Sequence, residues 1–266
     1  MTDENKSTKK FARRTVLQHG AGIAAVGAIS ALATAASATP AAARTTGRKS
    51  TAGTLPSTVA GVRIPDSGLA REAVTYAQGV CSETIFNHSL RTYLFASLIF
   101  DRRGVTYDRE LVFLAAVLHD LGLIEAFQTP TERFEVDGAD AARKFLTERH
   151  VSAERAEVVW DAIALHTSVG IATRKRPEIA MISVGSGMDF AGNDLKQIPS
   201  DALADVLTTF PRKGFKKDAV DKMISLCRTK PMAELMHPFA EVGRRHIPDF
   251  AVPTVEDLVL AAPFTE

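Results

Sequence analysis

His119 and Asp120 follow directly on an apolar run, Leu111 to Leu118, and lead into Leu121-Gly122. Burying an imidazole and a carboxylate without partners costs several kcal/mol, so both need compensation. A divalent ion is one such partner, since neutral imidazole and carboxylate both coordinate hard and borderline cations. A helix cap or a simple hydrogen bond between the two is the other. Three more residues of the same kind stand on or beside apolar stripes: His88 in Asn87-His88-Ser89, His166 after Ala162-Ile163-Ala164-Leu165, and Asp189 in Gly187-Met188-Asp189. Any one alone reads as a hydrogen-bonded core residue. Together they point to polar chemistry gathered inside an apolar core.

The elements that must position these residues are helices. From residue 66 onward apolar side chains recur at three- and four-residue steps, and alternating strand patterns are hard to find. The spacing predicts helices over 83–101, 111–121, 137–149, 152–167, 177–189, 201–209, 215–229, 232–245 and 255–261, with Asp108 capping the second and Gly122 ending it. That second helix is apolar nearly all round and belongs at the centre of an all-α bundle. Pro177, Pro199, Pro211, Pro231, Pro248 and Pro253 fall between helices or in first turns, where proline is tolerated.

Composition sets the frame. The chain has 266 residues, 45% hydrophobic and 24% charged, with net charge +1 and two cysteines, which excludes a disordered polymer, a collagen or a disulfide-stapled miniprotein. The near-neutral charge hides a basic start: Lys6, Lys9, Lys10, Arg13 and Arg14 against Asp3 and Glu4, then no charge until Arg44. Residues 1–43 therefore read as a secretory signal, with Ala-Arg-Arg-Thr-Val-Leu resembling the twin-arginine type although Val16 and Gln18 depart from its consensus. Residues 44–65 read as a flexible linker, 66–250 as one helical domain, and 251–266 as a tail or final helix. Without its leader the chain is mildly acidic, so no nucleic-acid partner is expected. The expected location is periplasmic or secreted, reached through the twin-arginine export machinery, without stable membrane insertion after cleavage. Cys81 and Cys227 read as buried thiols rather than a disulfide.

The order His88, His119-Asp120, Asp189 resembles the H…HD…D signature of the HD superfamily of metal-dependent hydrolases. Asn87-His88-Ser89-Leu90-Arg91, Leu118-His119-Asp120-Leu121-Gly122, Arg133-Phe134-Glu135-Val136-Asp137-Gly138-Ala139-Asp140, Ala164-Leu165-His166-Thr167-Ser168 and Arg228-Thr229-Lys230-Pro231 are similar to blocks of its cyanamide hydratase-like branch. The resemblance covers about residues 66–250. It implies a single HD-domain bundle with His88, His119, Asp120 and Asp189 as ligands of one divalent ion: Zn, Fe, Mn or Ni. His150, in a charged segment, reads as a surface residue rather than a ligand of a second ion.

Such an ion lowers the pKa of a bound water from about 15.7 to about 7, which is the chemistry expected here. Asp120 and His166 are then the expected catalytic residues, His166 for proton transfer or substrate orientation, although a histidine at a helix C-terminus is also favoured by the dipole alone. Thr167 is its hydrogen-bond partner, Arg91 a brace for Asp120 or Asp189 or a contact for an anionic substrate, and Glu135 a further site residue; Asp137 reads as an N-cap. The substrate is a small molecule. Hydration of a nitrile-type carbon is favoured over phosphate-ester hydrolysis, because the ligands lack a surrounding cluster of cations or a glycine-rich phosphate cradle. A non-catalytic exported helical binding protein is the third alternative.

Overall fold

The structure, a computed structural model, describes residues 55–264; the leader read at 1–43 and the first half of the linker, 44–54, lie outside them. Among the described residues the chain forms ten α-helices and one two-stranded hairpin. The all-α expectation holds. None of these helices is long and apolar enough to cross a membrane.

The end of the stretch read as linker is structured. Strands β1 (Thr58–Val59) and β2 (Val62–Arg63) pair antiparallel, and Val59, Val62 and Ile64 are buried. Three apolar side chains within a Thr- and Gly-rich segment suffice to dock it, and the Tyr93 hydroxyl donates to the Arg63 carbonyl at 2.6 Å. Helix α1 (Gly68–Val80) follows, capped by Ser67. Its buried stripe is Ala70, Ala73 and Ala77, too small to stand out as an apolar face in the sequence.

Helix α2 (Glu83–Arg102) matches its predicted span, while helix α3 (Arg109–Leu118) starts two residues before its predicted span and ends three residues short of it, with Gly122 in a 3₁₀ turn, Leu121–Leu123; Ser82 and Asp108 are the N-caps. Every residue from Leu111 to Leu118 is buried, and α3 packs on α1, α2, α5 (Ala153–Ala164) and α6 (Pro177–Ala191), the central position its sequence predicts. Helix α4 (Phe134–Thr147) begins three residues before the predicted start. Asp137 is inside it and does not cap it: its carboxylate is held by buried Lys230 and by Thr129. Helix α5 stops at Ala164, which leaves His166 and Thr167 in the following turn.

Helices α7 (Ser200–Thr209) and α8 (Phe215–Thr229) follow as predicted. The helix expected over 232–245 is broken, because Met236 takes a left-handed φ of 61° and Pro238 supplies no amide hydrogen. A 3₁₀ turn, Pro231–Glu234, precedes α9 (Phe239–His246), and α10 (Val255–Leu260) closes the described chain. Cys81 and Cys227 are both free.

Two glycines fix how the elements meet. A Cβ on Gly185 would stand 2.1 Å from the Thr92 carbonyl oxygen, so only glycine lets α6 lie this close to α2. The helices run antiparallel there, and one turn further along each, His88 faces Asp189. A Cβ on Gly122 would stand 1.9 Å from the Phe134 carbonyl oxygen; glycine there lets the chain after Asp120 press against the start of α4.

Candidate metal centre and its cleft

His88 lies in the second turn of α2, His119 is the C-cap of α3, and Asp120 is the next residue; all three are buried. One ligand atom from each lies within 4.8 Å of the others. His88 Nε2 is 3.6 Å and His119 Nε2 3.4 Å from Asp120 Oδ2, and His166 Nε2 is 4.0 Å from Asp120 Oδ1. Three imidazoles thus turn the same ring nitrogen toward one carboxylate.

The opposite nitrogens explain why. His119 Nδ1 is 2.7 Å from the Ala116 carbonyl oxygen and His166 Nδ1 is 2.6 Å from that of Ile163. A carbonyl can only accept, so both rings carry hydrogen on Nδ1 and leave a lone pair on Nε2. His88 Nδ1 is 2.6 Å from Asp189 Oδ2 and donates to it in the same sense. Each imidazole is oriented from behind, as histidines that hold a metal are.

Electrostatics keep the His119 and His166 rings neutral. Burial, reinforced by the neighbouring His88, pushes His119 down to about 3, and burial with His119 alongside pushes His166 down to about 4. Burial raises the Asp120 carboxyl above its usual range. The Nε2 atom of His119 is buried and has no hydrogen-bond partner in the protein, although such an orphaned acceptor normally costs about 1–3 kcal/mol. A lone pair without a partner, flanked by two further imidazoles and a carboxylate, fits a divalent cation of nitrogen and oxygen preference.

Asp189 is brought to the same place but is already engaged. Arg91, fully buried, grips it with Nε on Oδ1 and Nη2 on Oδ2, both at 2.8 Å, and Arg212 Nη1 reaches Oδ1 at 2.7 Å. Burial alone would raise this carboxyl; the hydrogen bonds from His88 and Arg91 outweigh it and hold it well below the carboxylate range. Arg91 also donates to the carbonyls of Phe210 and Pro211, at 3.0 and 3.2 Å, which ties the turn before α8 to the core.

A second polar cluster lies beside the first. Glu135 accepts from the Thr167 hydroxyl, from Arg133 Nη2 at 2.6 Å and from His237 Nε2 at 3.0 Å, while His237 Nδ1 lies 2.6 Å from Glu234 Oε2. Burial works against the Glu135 anion, but His237 and Arg133 hold its pKa well below the usual range. Burial works equally against a charged His237, and the two glutamates outweigh it to raise its pKa. His237 and Arg212 did not emerge from the sequence; the first follows a chain break inside an apparent helix, and the second sits among lysines that read as a solvated face. His150 is exposed at the end of α4, away from both clusters.

One cleft of about 750 Å³ opens over His88, Asp120 and His166. Its lining is mixed: Ile85, Leu123, Phe134, Phe215, Met223 and Phe239 are apolar, and Thr167, Thr173, Ser183, Ser186 and Asn193 are polar. His88 stacks on Phe215, with ring centroids 4.6 Å apart.

A helical core that gathers imidazoles around a carboxylate at the base of a cleft has the donor set of a metal-binding bundle. Residues 85–203 match the family model of the HD domain. The match contains His88, His119, Asp120, His166 and Asp189; Arg212, Phe215, His237 and Phe239 lie beyond it. No curated protein matches the chain.

Proposed function

We propose that the protein is a metal-dependent enzyme that adds water to a small uncharged electrophile, with hydration of a nitrile-type carbon the favoured reaction. The carrying observation is the cleft lining: among the described residues that form it there is no lysine or arginine. Arg91 and Arg212 are committed to Asp189 and Arg133 to Glu135. Apart from the ion itself, a phosphate ester would meet no cationic side chain in this lining, whereas a neutral substrate needs none.

His88, His119 and Asp120 would hold the ion, with His166 as the fourth donor around Asp120. When bound, the ion supplies Lewis acidity and a water acidic enough to react near neutral pH. Asp189, Arg91 and the Ala116 and Ile163 carbonyls hold the imidazoles in their Nδ1-protonated form. His166 is a weak proton acceptor at a pKa of about 4, so its Nε2 lone pair suits donation to a cation or acceptance of a hydrogen bond from substrate better than general-base work. Thr167, fixed by Glu135, offers its oxygen to the substrate beside it.

A substrate panel on metal-loaded protein tests the reading, with urea formation from cyanamide and phosphate release from nucleotides and aryl phosphates measured in parallel. Amide or urea formation is expected; phosphate release alone would reverse the assignment. Export by the twin-arginine route is inferred from Arg13-Arg14 ahead of an uncharged stretch. Fractionation of cells carrying Arg13→Lys/Arg14→Lys is expected to show the protein retained inside; unchanged export excludes that route.

A further inference from the structure

The cleft is much larger than the group that reacts. The N–C–N skeleton of cyanamide occupies on the order of 90 Å³ if each heavy atom takes the volume of a liquid water, about 30 Å³. The cleft encloses about 750 Å³, within the roughly 300–1,000 Å³ of sites for drug-sized ligands. Its unfilled part is not neutral ground. Phe134, Phe215, Met223 and Phe239 line it, and Phe134 lies parallel to Phe239 with centroids 5.2 Å apart. At the mouth, Val169 and Phe190 stand 90% and 51% exposed, an apolar approach to an apolar wall. A charged or strongly hydrated substrate would lose its water against these side chains without replacement hydrogen bonds.

We propose that the natural substrate carries its reactive group on an apolar, preferably aromatic, body that packs against Phe215, Met223 and Phe239 while the reactive end reaches His88 and Asp120. The proposal rests on the hydration reading for the identity of the reactive end and on the cleft alone for the body. Each methylene that leaves water for this wall should tighten binding about fourfold. Recognition is thus shared by α8 and α9, beyond residue 203, with Phe134 of α4, while the polar centre belongs to residues before 203.

Calorimetric titration of metal-loaded full-length protein with acetonitrile, butyronitrile, phenylacetonitrile and naphthylacetonitrile tests this without depending on turnover. Dissociation constants are expected to fall several-fold per step, with the aromatic members binding at least tenfold more tightly than acetonitrile. Phe239→Ala and Met223→Ser are expected to flatten the series, and Phe239→Leu to keep most of it. Flat affinity in the wild type overturns the proposal, whatever the variants do. Flat affinity with cyanamide still converted overturns the apolar body and leaves the hydration reading standing. A steep series with no nitrile converted upholds the apolar body and overturns the reaction.

Discussion

At the scale of single residues, the centre separates donors from the groups that aim them, and metal retention distinguishes the two. His119→Ala is expected to abolish stoichiometric metal in the purified protein, because it deletes a donor. Asp189→Asn is expected to weaken metal affinity about 10–100-fold, since it loosens the carboxylate that holds His88 Nδ1, Arg91 and Arg212 without deleting a donor. Complete loss in Asp189→Asn, measured by elemental analysis, would make Asp189 a ligand instead. The pair Glu135 and His237 carries a pH signature. The Glu135 pKa is depressed below 4.5, so its contribution is present above that pH and lost as pH falls; the His237 pKa is raised above 6.5, so its contribution is present below that pH and lost as pH rises through the raised value. Both are fully expressed between those limits. Urea denaturation should show the stability advantage of wild type over His237→Gln shrinking above neutrality; an advantage that grows with pH would contradict the arrangement. His88, His119, Asp120, His166 and Asp189 were legible because titratable side chains are conspicuous in apolar helices. Arg212 and His237 were not: each gains its partners only through distant chain, and nothing local marks them.

At the scale of elements, the site depends on the approach of α6 to α2. Gly185→Ala places a methyl against the Thr92 carbonyl, backbone that cannot swing aside. It is expected to cost at least about 1–3 kcal/mol in urea or thermal unfolding and to lower metal affinity as His88 and Asp189 separate. Unchanged stability would show that the two helices can move apart at this crossing without cost. Helix interiors were readable from periodicity; their ends were less so. The early start of α4 escapes sequence reading because the Asp137 carboxylate serves Lys230, 93 residues away, and not its own amide terminus. The break at Met236 is a local conformational event within a pattern that remains helical in composition, and α1 hides because its inner face is alanine.

At the scale of the whole molecule, the region around residues 230–237 closes over α4 through two buried ion pairs, Lys230 with Asp137 and His237 with Glu135. Lys230→Ala leaves the Asp137 charge buried and unpaired, with an expected loss of about 3–5 kcal/mol by chemical denaturation. A loss within error of zero would mean that this closure is peripheral. The cleft is lined from both lengths of chain: residues up to 203 supply the donors together with Ile85, Leu123 and Phe134, and residues beyond 210 add Phe215, Met223 and Phe239. The donors are therefore encoded in one length of the gene, and much of the apolar lining in the length that follows. Insertions, exchanges or drift in the later length can retune which molecules are admitted while every imidazole stays where it is, so the molecule is arranged to change its diet without relearning its chemistry.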